Sequence, residues 1–146
     1  MLITQKHKYA LRAVFELAAQ WPSRGLTKLA TIARRQSIPR PFLEVIMARL
    51  RRGHLVMSKR GCDGGYGLRE APSDISVGDV FRALEGARSH QRCLACGDLD
   101  TCPMQGRCAF MPLWQDVEAA VFNVFDRTSI QQLLDNHHQL GGSDVR

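Results

Sequence analysis

The chain has 146 residues, 45% of them hydrophobic, and a formal net charge of +6; that length suits one compact domain, or one small domain plus a dimerisation extension, and argues against two full domains. No run of eighteen apolar residues occurs, and Met1 to Lys8 carries positive charge without a signal peptide's apolar stretch, so the chain is expected in the cytoplasm with no membrane partner. In that reducing setting five cysteines, an odd number, point to metal ligands or redox thiols instead of a disulfide framework.

The charge is unevenly divided. Residues 1–60 hold thirteen Lys or Arg against Glu16 and Glu44, a balance of +11, whereas residues 61–146 hold seven basic against twelve acidic side chains, a balance of −5. Cation concentrated on one half is the footprint of a phosphate-contacting module, because binding releases a polyanion's counterions.

In chain order, Tyr9, Ala13, Val14, Leu17 and Ala18 follow helical spacing, and Trp21-Pro22-Ser23-Arg24-Gly25 closes this first helix with turn chemistry. A second helix carries Leu29, Ile32 and Ala33. Gln36-Ser37-Ile38 makes a break, and Leu43, Ile46, Met47 and Leu50 define a third helix whose first turn is flanked by Pro39 and Pro41. Proline is tolerated there because the first amides of a helix have no intrahelical acceptor. Two helices joined by about four residues make a helix-turn-helix.

Beyond Gly53 the period becomes that of strands: Leu55 to Arg60 and Tyr66 to Arg69 bracket Gly61-Cys62-Asp63-Gly64-Gly65 as a β-hairpin wing. Lys59 and Arg60 beside its tip point to DNA contact, while Cys62 reads as structural or incidental. Ser76 and Asp79 form a capping box ahead of Val77, Val80, Phe81 and Leu84, a fourth helix ended by Gly86. Farther on, Leu113, Val117, Ala120, Val121 and Val124 recur at helical spacing, with Trp114, Phe122 and Phe125 widening the apolar face. So small a chain has little core left to cover that face, so a second copy is expected to cover it. Ser129 and Gln132 cap a last helix through Leu133 and Leu134, and the residues from Leu140 read as a polar tail.

Between the fourth and fifth helices Cys93, Cys96, Cys102 and Cys108 read C-x2-C-x5-C-x5-C within sixteen residues. Thiolates this close on turn-forming backbone suit a soft metal or an iron-sulfur cluster; four of them equally suit tetrahedral zinc, a passive staple. The segment around them reads as neither helix nor strand. A disulfide oxidoreductase is not expected, since Cys93 and Cys96 lack a βαβ context. The histidines read mainly as surface residues, with His54 near phosphate, His90 preceding the cysteines, and His137 and His138 on a fraying helix. Met47 and Met57 read as core. No Ser-His-Asp constellation, phosphate loop or catalytic carboxylate pair occurs, so the chain is not expected to be an enzyme.

Tyr9-Ala10-Leu11-Arg12-Ala13, Phe42-Leu43-Glu44, Leu50 to Val56, the Arg60-Gly61-Cys62-Asp63-Gly64-Gly65-Tyr66 wing and the C-x5-C-x5-C spacing together resemble the IscR/NsrR-type winged-helix transcription regulators over about residues 1–136. The resemblance implies a mostly α fold with a small β-hairpin: a winged helix-turn-helix plus a long dimerisation helix that crosses its partner in a homodimer. It also implies an iron-sulfur cluster (2Fe-2S or 4Fe-4S) on Cys96, Cys102 and Cys108, with zinc as the alternative. At the positions of the family's fourth ligand stand Met111 and Lys8, leaving Cys93, or His7 of the partner subunit, for that role.

The expected organisation is a DNA-binding domain over 1–86, a cysteine-rich loop over 87–111, the dimerisation and terminal helices over 112–138, and a flexible tail over 139–146. On a palindromic operator in duplex DNA, Lys28 would bind DNA, Arg34, Arg35, Arg49, Arg51, Arg52 and Lys59 would meet phosphates, Arg40, Phe42 and Glu44 would read bases in the major groove, and Arg60 would probe the minor groove. The expected function is a dimeric transcriptional regulator sensing iron, redox or nitric oxide status. A zinc-stapled nucleic-acid-binding or adaptor protein, or a cluster-free thiol-based regulator, is the alternative.

Overall fold

The computed structural model describes residues 3–22, 25–86, 92–93 and 95–141, with backbone only at Arg92 and Asp98. Ser23 and Arg24 of the first turn, residues 87–91 of the cysteine loop with His90, Leu94, and residues 142–146 of the tail lie outside it. The elements run α1 (Gln5–Ala18), α2 (Leu29–Gln36), α3 (Arg40–Arg52), β1 (Val56–Lys59), β2 (Gly65–Leu68), α4 (Val77–Glu85), β3 (Arg92–Cys93), β4 (Gly97–Asp98), α5 (Met111–Arg127) and α6 (Ile130–Gln139).

The helical stripes read from the sequence meet in one core. Val14 of α1, Ile32 of α2, Leu43 and Leu50 of α3, and Phe81 and Leu84 of α4 are all buried there, an arrangement that removes each helix's apolar face from water at once. Helix α1 starts earlier than its apolar stripe, at Gln5, because Thr4 supplies an extended N-cap. Between α2 and α3, Ser37 turns the chain through the left-handed region at φ 50°, which ends α2 in a single residue. A buried polar network fixes this turn against α1: Glu16 is 0% exposed and accepts from Arg35 Nη1 at 2.8 Å and Gln36 Nε2 at 2.9 Å. Arg12 of α1 in turn donates to the Gln36 carbonyl.

Strands β1 and β2 pair antiparallel, Val56 opposite Leu68 and Lys59 opposite Gly65. Thr27 joins their edge by exchanging backbone hydrogen bonds with Tyr66, 2.8 Å in each direction, so the wing is anchored to the approach of α2. The tip requires glycine at Gly64, where a Cβ would lie 2.2 Å from the Lys59 carbonyl oxygen. Met57 departs from expectation: it is exposed, because with Val56 turned into the core its neighbour on a pleated strand must face out.

Both expected capping boxes form, Ser76 with Asp79 at α4 and Ser129 with Gln132 at α6. Helix α6 is anchored to the body. Ile130 and Leu134 are core residues, and His137, expected at the surface, meets Phe15 edge-on at 5.4 Å with its Nε2 buried. Helix α5 has no buried residue. One side touches the body through Phe125, 4.7 Å from Phe81, and through Asp126, whose Oδ2 lies 2.6 Å from Arg82 Nη2. The other side exposes Leu113, Val117 and Val124. No helix among the described residues is long and apolar enough to cross a membrane.

Candidate functional site

Two parts of the molecule are candidates for its chemistry: the outward face of α3 with the wing, and the cysteine segment between α4 and α5. Leu43, Ile46, Met47 and Leu50 point α3 into the core, so the opposite side of the helix is presented to solvent. Arg40, Phe42 and Glu44 are exposed there, with Arg40 and Glu44 in a loose ion pair at 3.9 Å. Lys28 lies at the N-cap of α2, Arg34 in its last turn, and Lys59 and Arg60 at the wing; all four are exposed. Arg51 Nη1 donates to Ser58 Oγ at 3.2 Å and ties the end of α3 to the wing. Reading the sequence passed over two residues of this face, Val45 and Ala48, which are exposed on the side away from the core. A helical wheel centred on the buried stripe would have found them.

Arg35 and Arg49 differ from the other cations because the fold already engages them. Arg35 holds Glu16, and removing one partner of a buried pair leaves an uncompensated charge. Arg49 donates to the carbonyl of Leu84 at the end of α4, and Lys6 Nζ donates to the same oxygen at 3.2 Å. Two cations thus cap the negative end of the α4 dipole. One comes from α1 and the other from α3, at the point where the chain leaves for the cysteines.

The cysteine segment contains a small hairpin that its residues did not announce: Cys93 in β3 pairs with Gly97 in β4. Two-residue strands are too short for periodicity to register. Cys93 is buried, and its sulfur lies against the backbone N–H groups of Cys96 and then Ala95, which lower its pKa because they favour the thiolate. Cys96 interacts with both Cys102 and Cys93, and these neighbouring thiols push its pKa up to about 11. Cys102 follows Leu99 in a tight turn, N–H to carbonyl at 3.1 Å, and the Cys108 carbonyl accepts from Met111 N–H at 3.2 Å as α5 begins. All five cysteines are free thiols. The donors are soft and Cys96 brings two others to itself, a set that suits thiophilic metal chemistry. Among the described residues, no three His, Cys, Asp or Glu side chains are closed around one point that a metal ion could take.

His7 lies in the core, 4% exposed, against the expectation that histidines line the surface. Its ring stacks on Phe81 at 4.5 Å, Nδ1 accepts the Thr4 N–H at 3.2 Å, and Nε2 is 3.4 Å from Glu85 Oε1. Both ring nitrogens therefore face groups of their own chain.

Comparison with known proteins agrees with this architecture. Residues 3–136 match the family model described as Rrf2, iron-dependent transcriptional regulator. The chain is 33% identical over 144 residues to the HTH-type transcriptional regulator IscR of Cronobacter sakazakii, covering 99% of this chain and 86% of that protein. Its fold superimposes on T. potens IscR with a TM-score of 0.76 at 29% identity, over 99% of this chain and 93% of that one. It also superimposes on CymR (YrzC), the global cysteine regulator of B. subtilis, with a TM-score of 0.70 at 32% identity, over 93% and 98% of the two chains. Those relatives are transcriptional regulators and not enzymes. With a winged helix-turn-helix in place and the family model spanning nearly all of it, the chain belongs to the Rrf2 family of transcriptional regulators.

Proposed function

We propose that this regulator binds a palindromic operator as a homodimer in the cytoplasm and senses iron, redox or nitric oxide status through an iron-sulfur cluster on its cysteine segment. The observation that supports the reading is the interaction of Cys96 with Cys93 and with Cys102, in a chain whose helix-turn-helix turns cations to solvent. Cys96, Cys102 and Cys108 would hold the cluster. Cys93 is the better fourth ligand, because His7 would have to leave its stack on Phe81 to serve a partner subunit. When bound, a cluster supplies a centre that is gained, oxidised or lost with the cell's iron and redox state.

The chain's own residues suggest how such a change reaches DNA. The loop departs from α4, whose Leu84 carbonyl is held by both Lys6 of α1 and Arg49 of α3. Tension on the loop therefore acts on the helix that reads bases, and in a two-fold dimer a small tilt changes the spacing of two reading heads. The exposed apolar side of α5, with Leu113, Val117 and Val124, is the surface a second copy would cover.

A second reading has an observation of its own. Free thiols gathered at Cys96 can act without metal, which supports a cluster-free thiol regulator as the second reading, with a zinc staple as the third. Iron and acid-labile sulfide assayed in protein purified without oxygen separate the three readings. A brown preparation holding both supports the cluster, a colourless one with one zinc per chain supports the staple, and a metal-free one supports the thiol regulator.

A further inference from the structure

We propose that α3 reads thymine methyl groups through Val45, flanked by Pro41 and Ala48, and so requires A·T pairs at fixed positions in each half-site. The inference rests on the reading that α3 enters the major groove, and adds which base feature it selects. Positions 41, 45 and 48 follow the i, i+4, i+7 spacing that places three side chains on one helix face. That face is directly opposite Leu43, Ile46, Met47 and Leu50, all buried. Along it no side chain can donate or accept a hydrogen bond until Arg52, one turn after Ala48. Val45 is 55% exposed at its centre, and Phe42 is 63% exposed at its edge.

An apolar strip on a surface helix is ordinarily a protein contact, but here cations surround it. Arg40 stands at one end, Arg52 at the other, and the wing cations Lys59 and Arg60 follow Ser58, which Arg51 binds. A protein partner would have to bury or pair those charges, whereas duplex DNA meets them with phosphates on either side of the groove. On the floor of the major groove one feature is apolar, the C5-methyl of thymine, and it distinguishes T·A from the other pairs at that position. Arg40 and Glu44 then sit beside the strip instead of at its centre. Arg40 can donate to guanine and Glu44 can accept from cytosine at flanking pairs.

The test starts from duplexes selected by the full chain out of a random-sequence library. Thymines in the selected half-site are replaced one at a time by deoxyuridine, which pairs identically and lacks only the methyl. For the wild-type chain at least one replacement should weaken binding about fourfold, the worth of one buried methyl. In Val45→Ala that penalty should fall below about twofold, while the salt dependence of binding stays as in wild type. Selected half-sites without thymine, or uracil duplexes bound as tightly as thymine ones, overturn the inference and leave DNA binding by α3 intact. Failure to enrich any sequence overturns both. Val45→Ala that leaves the uracil penalty unchanged assigns methyl reading elsewhere and equally overturns it. So does a loss of self-association in that variant with no change on DNA, since it marks the strip as a protein contact.

Discussion

The helical body and the segment from Cys93 to Arg127 are built on opposite principles. In the body, every helix from α1 to α4 sends a stripe into one shared core, and the buried carboxylate of Glu16 is paired. The cysteine segment has a hairpin of two-residue strands, a Cys96 thiol that leans on two others, and a 17-residue helix with no buried side chain. A region so lightly packed is stabilised little by its own contacts. A ligand on its sulfurs, or a second copy over its helix, would therefore have large leverage over its arrangement, while the body would hold its shape and transmit the result.

The contrast breaks most visibly if the body is opened. Phe81 links His7, the core and Phe125 of α5, so Phe81→Ala should lower the unfolding free energy by about 3–5 kcal/mol, measured by urea denaturation. Glu16→Ala comes next. It strands Gln36 and Arg35 at the helix-turn-helix, with an expected loss of about 3 kcal/mol and a lower urea midpoint. By contrast Val124→Asp, at a position 62% exposed, should barely change the stability of an isolated chain, within about 0.5 kcal/mol. If α5 is the dimer helix it should instead shift the mass seen in sedimentation from two chains to one.

What was legible in the sequence follows the same division. The helices of the body, both capping boxes, the hairpin wing and the helix-turn-helix could be read from residues, because each reports itself locally through periodicity, a cap or a turn. His7 could not, because nothing in the sequence around it says that Phe81 and Glu85 lie over its ring. Nor could the occupation of Arg35 and Arg49, since partners nineteen and thirty-five positions away are invisible to spacing. Met57 was misread because a single strand residue takes its face from register, not from its own hydrophobicity. The β3–β4 hairpin is too short for any pattern. At the candidate site the cysteines were evident from their clustering, yet their grouping around Cys96 needed the fold.

A smaller effect sharpens the distinction among the cations. Arg34→Ala and Arg35→Ala remove the same charge from adjacent positions. Arg34 is exposed, whereas Arg35 is held by Glu16. Arg34→Ala should weaken binding to selected and random duplexes alike and reduce the slope of log affinity against log salt by about 0.9, with no loss of stability. Arg35→Ala should lower stability, leaving the salt slope nearly unchanged.

We propose that the state of the lightly packed cysteine segment sets the DNA affinity of the firmly packed body. It is tested most directly by titrating one anaerobic preparation of the full chain onto its selected duplex before and after iron is removed by a chelator. The account predicts a change in affinity of about tenfold or more, roughly 1.4 kcal/mol of coupling, with no change in the helical circular dichroism of the body. Equal affinity in both states, in a preparation shown to have lost iron and sulfide, would contradict it.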